Sequence, residues 1–185
     1  MRKMIIALLA VFLVGAITAS GALASSVHLK GGKNAKPTFT DGGGLTLNAV
    51  GQLSGLGNGD VLVTMTATAN ATATCTNPGS GGTQPPGQNP APVTVSGSQA
   101  IPQSEIKNGN TPFNVTTNPP VTPIAGAPGC PNTQWTEDIT DLSFTSAVIT
   151  VEQPPGTLVL TVSCAFSPAT SNGIVPGNTV SCTSS

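Results

Sequence analysis

From Val61 to Cys75 the chain alternates apolar and polar residues, Leu62 apart. Val61, Val63, Met65, Ala67, Ala69, Ala71, Ala73 and Cys75 fall on one side, and Thr64, Thr66, Thr68, Asn70, Thr72 and Thr74 on the other. A period of two over fifteen positions marks a β-strand with one buried face, because successive side chains of extended backbone point to opposite sides. Thr suits the outer face, its branched Cβ fitting a pleated surface. Typical strands run about five or six residues, so a bend or bulge is expected partway, dividing the run between pairing partners. The inward run of alanines implies that a bulky group or another backbone approaches closely there.

The same pattern recurs on both sides of this run. Leu45, Leu47, Ala49, Gly51 and Leu53 alternate with Thr46, Asn48, Val50 and Gln52, and Gly57-Asn58-Gly59-Asp60 then reads as a tight hairpin into Val61. Leu142 to Val151 and Thr157 to Phe166 form a second pair, joined across Gln153-Pro154-Pro155-Gly156. In the later member Leu158, Leu160, Val162, Cys164 and Phe166 share a face; in the earlier one the apolar phase slips between Phe144 and Ala147, as a bulge would make it. Val93–Ser98, Phe113–Thr117, Gln134–Ile139 and Thr179–Thr183 are shorter candidates. The stretches Asn77–Pro92 and Asn118–Pro131 are too rich in Pro and Gly for central strands and read as long loops. No helical period appears beyond the first residues. Seven or eight short strands with such turns predict an all-β fold, a two-sheet antiparallel sandwich of immunoglobulin-like type.

The N-terminus follows other rules. Arg2 and Lys3 precede an apolar stretch, Met4 to Ile17, and Ala22-Leu23-Ala24 offers a small-x-small cleavage site. That is the layout of a signal peptide over residues 1–24. The apolar stretch falls short of the roughly 20 residues a spanning helix needs, and no later segment would cross a membrane once the signal is removed. Residues 25–40 are expected as a flexible leader carrying Lys30, Lys33 and Lys36, and residues 41–185 as one sandwich domain. The expected location is secreted, extracellular or periplasmic.

Four cysteines remain, Cys75, Cys130, Cys164 and Cys182. An even number in an exported chain points to disulfides, with three possible connectivities. Zinc fits poorly, since no two cysteines lie two to four residues apart and the one histidine, His28, is remote from them in sequence. Pairing Cys75 with Cys130 and Cys164 with Cys182 is expected, because each bond then clips a separate part of the chain.

Leu56-Gly57-Asn58-Gly59-Asp60-Val61, Cys75-Thr76-Asn77-Pro78-Gly79, Ile106-Lys107-Asn108-Gly109-Asn110, and Cys130-Pro131-Asn132 with Trp135 together resemble a group of small exported bacterial β-sandwich proteins of unassigned function. The likeness covers most of the chain after the signal. Its motifs are turns and cysteines, so it implies a fold and an envelope location and transfers no catalytic residue.

Composition narrows the chemistry. Charged residues make up 7% of the chain against about 25% in ordinary domains, tyrosine is absent, and six Lys and Arg give no footprint for nucleic acid. With one imidazole near the N-terminus, a His-based nucleophile has little support, and nothing places Lys107 beside a strained Ser. Glu137, Asp138 and Asp141 form the one acidic cluster. It matches no calcium-loop spacing and is expected as solvated charge at a strand edge. A two-carboxylate glycosidase lacks the aromatic platforms that sugars favour. Trp135, close after Cys130, is expected in the core. Asn70-Ala71-Thr72 and Asn114-Val115-Thr116 would accept glycans only in a host that glycosylates exported chains.

These observations converge on a non-catalytic secreted structural or binding protein of the cell envelope or extracellular matrix, with no cofactor and no metal. The alternative is a filament subunit that assembles by donating the strand Val27–Thr40; a secreted hydrolase comes last. The partner is unknown, with self-association or an envelope or matrix component as candidates.

Overall fold

The computed structural model describes residues 26–32, 34–79 and 90–185. The signal peptide expected over residues 1–24 and most of the Asn77–Pro92 loop lie outside the described residues. Ten strands are present among those described: β1 (His28–Leu29), β2 (Thr38–Gly42), β3 (Thr46–Ser54), β4 (Val61–Thr76), β5 (Val93–Ile101), β6 (Thr111–Thr116), β7 (Thr136–Glu152), β8 (Leu158–Phe166), β9 (Gly173–Ile174) and β10 (Val180–Ser184). They form two antiparallel sheets packed as a sandwich. In one, β3 carries β6 on one edge and β2 then β1 along the other, with β9 outside β2. The other runs β10-β8-β7-β4-β5.

The alternation read from Val61 to Cys75 is one strand, and all eight positions of its inward face are buried. β5 covers it only from Val61 to Ala69, whereas β7 follows it to Thr76. The expected irregularity lies on the partner: Thr140 and Thr145 of β7 are extra residues in the ladder. Each turns its hydroxyl onto a β4 carbonyl, Thr140 to Thr72 and Thr145 to Thr68, both at 3.2 Å. These bulges absorb the phase slip around Phe144, so the candidate Gln134–Ile139, from Thr136 on, and the candidate Leu142–Val151 are parts of the single strand β7. The small alanines leave space for rings. Phe144 lies opposite Ala69 in register, and Phe39 meets Phe166 edge to face at 5.0 Å, joining the two sheets.

Several expectations are corrected. The link Gly57–Asp60 is not a hairpin: β3 and β4 belong to different sheets, and the link carries the chain across the end of the sandwich. Gln153, 3% exposed, grips it through the Gly57 N–H (2.8 Å) and the carbonyls of Gly57 (3.0 Å) and Gly59 (2.9 Å). The tight Asn-Gly turn is instead Asn108-Gly109, both at positive φ, where Lys107 and Asn110 exchange two main-chain bonds. Leu158 is exposed because Val159 is an extra residue that reverses the facing beyond Leu160. The stretch 25–40, expected as a flexible leader, is built into the sandwich where it is described: Val27, Leu29 and Phe39 are buried, and β1 and β2 pair with β3.

The two rims of the sandwich differ. On one, β5 and β6 of opposite sheets come into contact. The Asn118 N–H donates to the Ser96 carbonyl at 2.8 Å and the Asn114 N–H to the Gln99 side chain at 2.7 Å. Gly97 permits this approach, since a Cβ there would lie 1.9 Å from the Thr116 oxygen. On the other rim the Lys36 ammonium spans the sheets, donating to the Gly177 and Val180 carbonyls.

Candidate functional site

The 118–131 loop runs to the end of the sandwich at which β4 finishes, and the Cys75–Cys130 disulfide ties it there. Its Cα atoms are 5.7 Å apart. The 118–131 segment is laced onto β7 over the stretch that β8 does not reach. Ile124 N–H donates to the Glu137 carbonyl (2.7 Å), Ile139 N–H to the Thr122 hydroxyl (3.0 Å), and Gly129 N–H to Glu137 Oε2 (2.9 Å). A bare sheet edge is thereby covered. The loop stays irregular yet has many main-chain anchors, and it leaves Val121 89% exposed. The result is a braced, uncharged surface rather than a hydrogen-bonded ladder.

The acidic cluster separates. Glu137 points inward and is fully buried beside the disulfide; its Oε1 has no hydrogen-bond partner among the described residues. Asp138 and Asp141 are half-buried on the outer face, opposite Thr74 and Thr72. The expectation of solvated charges at a strand edge is therefore corrected, because the alternation of β7 sends Glu137 to the core and the 118–131 segment covers the edge that β8 does not reach there. No group of three His, Cys, Asp or Glu that could hold a metal ion occurs among the described residues. Trp135 is also corrected: it is half-buried in the turn it closes with Asn132, outside the core. His28 is exposed on β1 with its Nδ1 2.6 Å from its neighbour Ser26's carbonyl, and the Lys107 ammonium donates to the Ser104 carbonyl at 2.7 Å.

One buried acid was missed. Asp41, 2% exposed, shares the inward face of β2 with Phe39 and accepts a 2.5 Å hydrogen bond from the Thr170 hydroxyl. Thr170 also exchanges bonds with Phe144, its N–H to the carbonyl and its Oγ1 from the N–H, both at 2.9 Å. The residue thus links the two sheets. Burial pushes the Asp41 carboxyl above its ordinary value; the Thr170 bond opposes this, and the charge of Asp141 adds to it. Its position two residues after Phe39 was the available signal.

The second disulfide, Cys164–Cys182, joins directly opposed residues of β8 and β10, so both expected pairings are observed. Two disulfides indicate an oxidising, extracytoplasmic compartment, and no helix among the described residues is long and apolar enough to cross a membrane. Compared with family models, with curated proteins and with solved structures, the chain matches none.

Proposed function

We propose that the chain is a non-catalytic, secreted binding or structural module of the cell envelope or matrix, and that it engages its partner through the loop end of the sandwich. The supporting observation is the 118–131 loop, clipped by Cys75–Cys130 and laced to β7 while presenting Val121 and its prolines to solvent. A loop ordered before binding loses little conformational entropy on contact. Functional surfaces are commonly carried on such loops over a rigid frame. The immunoglobulin-like and bacterial character expected from the sequence belongs to the same reading.

The test is binding of purified protein to isolated envelope or matrix material. Wild type should be retained. Val121→Asp, exposed and so without effect on folding, should lower retention at least tenfold with an unchanged melting temperature. Equal retention of the two proteins would remove the loop end from consideration. The filament alternative needs Val27–Thr40 to leave its own sheet, where β1 and β2 already pair with β3. Long fibres in electron micrographs of the purified protein would favour it.

A further inference from the structure

The rim that β5 and β6 do not close has a bare main-chain edge. Ser185 and Thr161 exchange both main-chain bonds, at 2.8 and 2.9 Å, and Ser167 donates to Thr179 at 2.9 Å. The β8–β10 register between these pairs is unbroken. Odd-numbered residues of β10 therefore face β8, and the peptide groups of Val180, Cys182 and Ser184 point outward. The Val180 carbonyl is occupied by Lys36 at 2.8 Å. Those of Cys182 and Ser184 have no partner among the described residues. They open onto a cleft of about 530 Å³ whose far wall is β1 and the turn after it.

We propose that this edge pairs with the same edge of a second copy of the chain, antiparallel about a two-fold axis at Thr183. The peptide groups of Cys182 in one copy would meet those of Ser184 in the other, and the reverse, on the order of four main-chain bonds. Thr183 then faces Thr183, and Ser181 faces Ser185, the kind of hydroxyl pairs that stabilise neighbouring strands.

The occupant follows from the edge itself. No side chain of residues 180–185 is charged, none is proline, and the strand has no bulge, so the usual obstacles to edge pairing are missing from it. Lys36 selects the register. Centring the axis on Cys182 would require the Val180 carbonyl, which Lys36 holds; centring it on Thr183 uses only free groups. The contact is isologous and stops at a dimer. Growth from the far edge of the sheet is opposed by β6, which sits against β5. The proposal does not depend on the loop end being a binding surface.

Sedimentation of the purified protein from about 10 µM to 1 mM spans the weak affinities expected of so few bonds. Wild type should approach a dimer and go no further. Ser184→Pro removes an outward N–H that β8 does not use, and should weaken association at least tenfold; Ser184→Ala should behave as wild type. A wild type that stays monomeric to 1 mM overturns the proposal, as does equal association of Ser184→Pro or growth beyond the dimer. If Ser184→Pro does not fold, amide exchange in wild type decides. The Cys182 and Ser184 amides should gain protection as concentration rises, and constant exchange overturns the pairing.

Discussion

Replacing Gly97 by alanine would place a Cβ 1.9 Å from the Thr116 carbonyl oxygen, 2.8 Å from its carbonyl carbon and 2.9 Å from the Thr117 Cα. All three obstacles are backbone, so no side chain can swing away. Real Cβ atoms essentially never come closer than 3.0 Å to such neighbours, so the strands must separate by at least 3.0 − 1.9 = 1.1 Å. Neither moves freely: Gly97 is in register with Met65 of β4, and Thr117 exchanges bonds of 2.9 Å with Leu47 through its N–H and hydroxyl. Overpacking costs about 1–3 kcal/mol. Loss of the Asn118–Ser96 bond adds about 1 kcal/mol. The sum, roughly 2–4 kcal/mol, corresponds to a fall in melting temperature of roughly 5–15 °C for a domain of this size. Urea and thermal unfolding followed by circular dichroism measure it. Gly44→Ala is the control, because nothing lies within 4 Å of a Cβ there, and it should stay within about 0.5 kcal/mol of wild type. If Gly97→Ala is as stable as Gly44→Ala, the two sheets do not meet at this rim.

Met65→Ala should cost about 2–5 kcal/mol in urea titration and Thr66→Ala under about 1 kcal/mol, since Met65 is fully buried and Thr66 exposed; equal costs would refute the facing of β4. Asp41 in the folded protein holds its proton to higher pH than in the unfolded chain. Wild type should therefore lose stability as pH rises from the ordinary carboxylate value through the raised one. Asp41→Asn should lack that loss, and identical pH slopes in the two proteins would contradict the burial argument. Gln153→Ala should cost about 1–3 kcal/mol by stranding the Gly57 N–H and two carbonyls, so unchanged thermal unfolding would show that water replaces the amide. Non-reducing peptide mapping should recover Cys75 with Cys130 and Cys164 with Cys182, and any Cys75–Cys164 peptide would count against the fold.

Period two and residue size are local properties, and they determined a great deal by themselves. They settled that Val61–Cys75 is a strand and which of its faces is buried, that a bulge lies near Phe144, and that Gln153–Gly156 turns β7 back into β8. Cysteine number and loop placement anticipated both disulfides. Alternation says which face a strand buries but not which strand it lies beside, and the errors have that source. Asn58-Gly59 carries favourable hairpin chemistry, yet the chain crosses to the other sheet because Gln153, distant in sequence, holds Gly57 and Gly59. The Lys, Gly and Asn of residues 25–40 are poor strand formers, but Val27, Leu29 and Phe39 dock because β3 offers them an edge and the core a space. Glu137 and Trp135 exchanged their expected roles: the register of β7 against β4 turns the acid inward, while the indole, just ahead of β7, is half-exposed in the turn its N–H closes onto the Asn132 carbonyl. Asp41 and Gly97 matter only through residues far along the chain, Thr170 and Thr116. Such pairings are non-local, and only the packed sheets bring them together.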